Sequence, residues 1–69
     1  MNKLLESLKA RQSIKKLTDA QFSAELGVSR STWSLVRAGR VKFNVPILRG
    51  ILNAFPDMHN DVIQYILKS

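Results

Sequence analysis

Sixty-nine residues make one domain at most, near the lower size at which a single core holds, and with no cysteine the chain has neither a disulfide framework nor a thiolate metal site. Hydrophobic residues at 45% are too many for a disordered chain. No apolar run approaches the roughly 18 residues of a membrane span and the N-terminus lacks signal-peptide features, so a soluble cytoplasmic domain is expected. The net charge of +6 points to a polyanion partner, nucleic acid ahead of a membrane surface.

Asn2 is placed to cap a first helix, in which Leu4, Leu5 and Leu8 form an apolar stripe and which ends around Ser13 to Lys16. Leu17 then packs inward. Thr18-Asp19-Ala20-Gln21 fits a capping box, opening a second helix over about Asp19–Leu26 with Phe22 and Leu26 as its apolar pair. Gly27 stops it, because a helix commonly ends on a residue in the left-handed conformation. After a turn containing Val28, Ser29 caps a third helix over Arg30–Ala38, which Gly39 ends.

Arg40 to Phe43 form a basic loop, and Asn44 caps a fourth helix that tolerates Pro46 in its first turn. Its expected buried stripe is Leu48, Ile51, Leu52 and Phe55. Gly50 within it costs about 1 kcal/mol relative to Ala, so close packing is expected there. Pro56-Asp57 breaks the chain, and a last helix from about Met58 to Lys68 should bury Val62, Ile63 and Ile66, with Tyr65 at its edge. The expected fold class is therefore all-α: five helices in one domain over 1–69.

The informative unit is Thr18 to Gly39, a capped short helix, a glycine-containing turn and a second short helix. Such a pair is the pattern of a helix-turn-helix, whose second helix can enter a major groove. Charge agrees. Lys9, Arg11, Lys15, Lys16, Arg30, Arg37, Arg40, Lys42 and Arg49 lie in the central stretch, opposed there only by Asp19 and Glu25. On the third helix Trp33 and Val36 are three apart and apolar, so they point inward. The opposite face carries Ser29, Arg30, Ser31 and Ser34, with Leu35 at its border.

The stretch TDAQFSAELGVSRSTWSLVRAGR resembles the motif of lambda-type phage repressors, Cro proteins and their XRE-type bacterial relatives, and NVPILRGILNAF resembles that family's fourth helix. The resemblance covers roughly residues 4 to 56. It implies a lambda-repressor-like fold and a double-stranded DNA operator bound by a homodimer on two-fold half-sites. Phage or prokaryotic repression is the implied role. It also implies that Ser29, Arg30, Ser31, Ser34 and Leu35 hold the base-contacting positions. Arg30 is the foremost of these, since a guanidinium can donate two hydrogen bonds to guanine O6 and N7. Leu35 either touches a thymine methyl or covers core.

Candidate phosphate contacts flank that face: Thr18 and Gln21 at the start of the second helix, where backbone N–H groups near Thr18, Asp19 and Ala20 make an anion site, then Thr32, Arg37, Arg40, Lys42 and Asn44. Three positions depart from the family pattern. Ser23 stands where Ala is usual and Trp33 where Ile or Val is usual, the latter needing a roomier core. Arg37 replaces a common Glu that pairs with an Arg on the first helix. The nearest residues there are Arg11 and Gln12, so that pair is expected to be lost, leaving Arg37 as a solvated charge or a phosphate ligand. Phe55, Met58 and the last helix suit either a dimer surface or the monomer core.

No catalytic residue, cofactor, metal or small-molecule ligand is expected. His59 has no companion at metal-ligand spacing, no nucleophile–base pairing is present, and no Gly-rich phosphate loop exists. The alternative reading is a protein-interaction module of antitoxin or anti-repressor type on the same helical fold. A non-specific DNA- or RNA-binding helical protein is a further one.

Overall fold

The computed structural model describes residues 3–68, so the cap expected at Asn2 lies outside the described residues. Five α-helices follow one another: α1 Lys3–Lys15, α2 Asp19–Leu26, α3 Arg30–Arg37, α4 Val45–Ala54 and α5 His59–Lys68, with a 3₁₀ turn Pro56–Met58 leading into the last. The described residues contain no strand. The core draws on every helix: Leu4 and Leu8 from α1, Phe22 and Leu26 from α2, Trp33 and Val36 from α3, Ile47 and Ile51 from α4, and Val62 from α5. Phe43, Phe55 and Met58 join it from the connections.

The caps explain why the helices start and stop where they do. Thr18 accepts from the Gln21 amide at 3.2 Å while the Gln21 side chain accepts from the Thr18 amide at 2.9 Å, closing the capping box. Ser29 accepts from Thr32 N–H and Asn44 from Ile47 N–H in the same manner. Three helices then end alike. The amide of the left-handed residue bonds three back and the next amide five back, at Lys16–Leu17, Gly27–Val28 and Gly39–Arg40.

Gly27 and Gly39 adopt φ of 73° and 77° at no steric cost, but at the end of α1 the position falls to Lys16, with φ 57°. A side chain in that region costs about 1–2 kcal/mol. Lys16→Gly should therefore stabilise the fold by up to about 1 kcal/mol, the rest being lost to the freer unfolded chain. Thermal unfolding should register this as a rise of several degrees, roughly 4–8 °C per kcal/mol at this size. An unchanged or lower melting temperature would contradict the strain assigned to Lys16.

Two apolar stripes follow the predicted ones in part: Ile51, Phe55 and Val62 are buried and Tyr65 is half-buried as expected, while other positions differ. On α4 the fully buried residues are Ile47 and Ile51, while Leu48 and Leu52 are only half-buried. The helix is rotated because Gly50 sits directly on α2: a Cβ there would lie 2.0 Å from the Leu26 carbonyl oxygen. On α5 the inward line is Met58, Val62 and Tyr65, spaced four and three apart. Tyr65 meets Phe43 edge-on with ring centroids 5.2 Å apart. Ile63 and Ile66, expected inside, are exposed, as is Leu67 at 73%. Phe55 and Met58 belong to the monomer core, so they offer no surface to a second copy.

One seam is held by a mixture of forces. Phe22 packs against Trp33 at 4.8 Å and against Phe55 at 5.8 Å. The outer side of Phe55 is covered by the cations of Arg11 and Lys15, 4.9 and 5.2 Å from its ring centre. Arg11 also donates to Asp57, and that hydrogen bond, with the guanidinium's charge, holds the Asp57 carboxyl below its ordinary 3.8.

Candidate nucleic-acid interface

The third helix is two-sided, and its two sides are fixed by different physics. Trp33 and Val36 are both buried, as their spacing predicts. Arg30, Ser31, Ser34 and Leu35 are all exposed on the other side, Leu35 at 43%. Leu35 is thus not a core residue, and the side chain stands in solvent beside Ser31 and Ser34. Ser29 is exposed as well, but its hydroxyl is engaged. It accepts from Thr32 N–H at 3.1 Å and lies 2.8 Å from the Thr32 hydroxyl, so either of the two hydroxyls can donate to the other.

The inward side is anchored by a buried side chain that composition does not reveal. Gln12 continues the Leu4–Leu8 line of α1 and is buried. Its carbonyl oxygen accepts from the Trp33 indole N–H at 3.1 Å. Its amide donates to the Leu17 carbonyl at 3.1 Å and to the Asp19 carboxylate at 2.8 Å. One glutamine thus ties together the end of α1, the start of α2 and the middle of α3. Among the described residues no buried side-chain polar atom lacks a partner. Trp33 is accommodated by this pairing: a larger ring fits where its N–H finds an acceptor across the core.

Asp19 has a second partner. Arg37 Nη1 lies 3.5 Å from the same carboxylate oxygen, with both side chains partly in solvent. Arg37 is therefore not the lone solvated charge expected of it. It bridges the end of α3 to the start of α2. Spacing does not reveal the pairing, because α1 offers only Arg11 and Gln12 nearby while the carboxylate stands in the first turn of α2.

The phosphate candidates at the start of α2 are partly committed. The Thr18 amide is occupied by Gln21, which removes it from the expected anion site, and the acceptor oxygens of both side chains serve the capping box. What faces outward is the Gln21 side-chain amide. Asn44 similarly spends its oxygen on Ile47 N–H and keeps its amide. Arg40 and Lys42 are exposed in the loop between α3 and α4, and Thr32 is half-buried.

Ion pairing sorts the cations. Among the described residues Arg11 is paired with Asp57, Lys15 with Glu25 and Arg37 with Asp19. Lys9, Lys16, Arg30, Arg40, Lys42 and Arg49 have no such partner. The unneutralised charge of the central stretch thus includes Arg30 on the exposed face of α3 and the loop that follows α3. His59 is exposed, and the described residues contain no group of acids, histidines or cysteines that could hold a metal ion. No described helix is long and apolar enough to cross a membrane.

Compared with known proteins, the chain matches no family model, no curated protein and no solved structure.

Proposed function

We propose that this chain is a sequence-specific double-stranded DNA-binding regulator, a repressor of phage or prokaryotic type. In this reading α2 and α3 act as a helix-turn-helix of lambda-repressor kind, with α3 in the major groove. The reading rests on one observation above the others. The unpaired cation Arg30 stands with Ser31, Ser34 and Leu35 on the outward face of a helix whose inward face is locked by Trp33, Val36 and Gln12. Arg30 reads a guanine, Ser31 supplies an adaptable hydrogen bond, and Leu35 meets a thymine methyl. Gln21, Arg40, Lys42 and Asn44 hold the backbone and set the register without reading sequence. Two copies bind a two-fold operator with half-sites about 34 Å apart. The exposed Ile63 and Leu67 of α5 replace Phe55 and Met58 as the apolar residues available to that contact.

Selection of binding sites from random duplex DNA tests the reading, with a palindromic consensus expected and no enrichment above background sinking it in favour of an interaction module. On the selected site, Arg30→Ala should relax the preference at one base pair by about 1–3 kcal/mol. Lys42→Ala should instead weaken binding to every sequence and reduce the salt slope by about one. Measured affinities over a salt series separate the two. Equal loss on all sequences for Arg30→Ala would leave a non-specific binder.

A further inference from the structure

The space between α1 and α3 holds a cleft of about 290 Å³, lined by Lys9, Ser34, Arg37 and Ala38. Two of its four walls are cations, one is a hydroxyl, and none is a carboxylate. Ala38 contributes only a methyl group, which leaves the cleft open. Lys9 has no ion pair among the described residues. We propose that this cleft is a binding site for one phosphate group, held by the Lys9 ammonium, the Ser34 hydroxyl and the Arg37 guanidinium, and that Asp19 is its internal competitor.

Three physical points carry the assignment. Lysine, arginine and serine together can present donors from three directions, as a tetrahedral oxyanion requires. The Arg37–Asp19 pair is long at 3.5 Å and its side chains are 50% and 30% exposed, so it belongs with the weak surface pairs that a better anion displaces. The C-terminal end of a helix ordinarily repels an anion. Here, however, the carbonyls of Ser34, Leu35 and Val36 are already bonded by the amides of Ala38, Arg40 and Gly39, which blunts that repulsion.

The phosphate can come from the backbone of a bound duplex or from free inorganic phosphate. Only the first source rests on the DNA-binding reading; the site's affinity for a phosphate group does not. The test is an amide NMR titration of the full chain with inorganic phosphate, against sodium chloride at equal ionic strength, then with a short duplex. Saturable shifts confined to residues around Lys9, Ser34 and Ala38 are expected with phosphate and not with chloride. Lys9→Ala and Arg37→Ala should each weaken that binding about tenfold, while Lys9→Arg should retain it. Asp19→Asn keeps the oxygen that accepts from Gln12 but removes the competing charge, and should tighten binding about two- to fivefold.

If the duplex shifts the same amides and phosphate competes with it, the backbone is the source. If phosphate binds and the duplex leaves the cleft unmoved, the source is free phosphate. Phosphate shifts matching those of chloride, or indifferent to Lys9→Ala and Arg37→Ala, would overturn the site, whatever the duplex does on the exposed face of α3.

Discussion

Gln12→Leu should destabilise this chain markedly, although it replaces a polar residue in the core by an apolar one of similar volume. The substitution strands the Trp33 indole N–H, which has Gln12 Oε1 as its acceptor and lies with its ring in a fully buried position. A buried donor left without a partner costs about 1–3 kcal/mol. At this chain length that is a fall in melting temperature of several to some twenty degrees, at roughly 4–8 °C per kcal/mol. The change also frees the Leu17 carbonyl and one contact of Asp19, but both are near solvent and water replaces the glutamine there. Trp33→Phe removes the donor instead and strands the glutamine oxygen. Combining the two removes both halves of the polar pair, so the double variant should be less destabilised than the sum of the singles by about 0.5–3 kcal/mol. Chemical unfolding of the four proteins gives that coupling directly. Additive losses would mean that the 3.1 Å contact contributes nothing specific.

That bond also marks where the sequence stops being legible. Whereas the left-handed Lys16 that ends α1 was not readable, the caps set by characteristic residues were: Thr18 with Gln21, Ser29, Asn44, and the glycines that end α2 and α3. These are local rules, set by backbone groups a turn away. The phase of Trp33 and Val36 was readable for the same reason. Gln12 was not, because its role depends on a tryptophan 21 residues away. The one available signal was its place four residues after Leu8 on the buried line of α1, facing a core that contains an indole needing an acceptor. The stripes of α4 and α5 were legible only in part, with Ile47 missed and Ile63 and Ile66 wrongly placed inside, because both helices carry more apolar residues than one face can bury. Which of them face inward is then decided by the neighbouring helix and not by periodicity.

For the exposed face of α3, Arg30, Ser31, Ser34 and Leu35 are brought together on one side of one helix, as spacing alone requires. The relation of Arg37 to Asp19 is a different matter. Charges meet across elements according to the angle at which the elements pack, and no spacing rule within one helix predicts that. The same holds for Lys9, which shares a cleft with the end of α3 only because α1 passes beside it.

Gly50→Ala gives the second large effect, and its sign runs against helix propensity. In an unhindered helix interior the change stabilises by about 1 kcal/mol. Here the new methyl would sit 2.0 Å from the Leu26 carbonyl oxygen and 3.0 Å from its carbon. Both are backbone atoms at the end of α2 and cannot rotate away as a side chain would. Relief requires α2 and α4 to separate, loosening Leu26, Ile47 and Ile51, all of which are buried. Forcing extra volume into a packed core costs about 1–3 kcal/mol, occasionally more. With a backbone collision the upper part of that range applies, and it outweighs the propensity gain. The net expectation is a loss of roughly 1–2 kcal/mol and a melting temperature lower by some 5–15 °C. Arg49→Ala compared with Arg49→Gly one position earlier, on the exposed side of α4, reports the propensity difference without the collision, about 1 kcal/mol in favour of Ala. Because α2 opens the proposed DNA-reading pair, a displaced α2 should also weaken DNA binding on every sequence alike, unlike Arg30→Ala. A Gly50→Ala protein as stable as the parent would mean that α2 and α4 are not in backbone contact at this crossing.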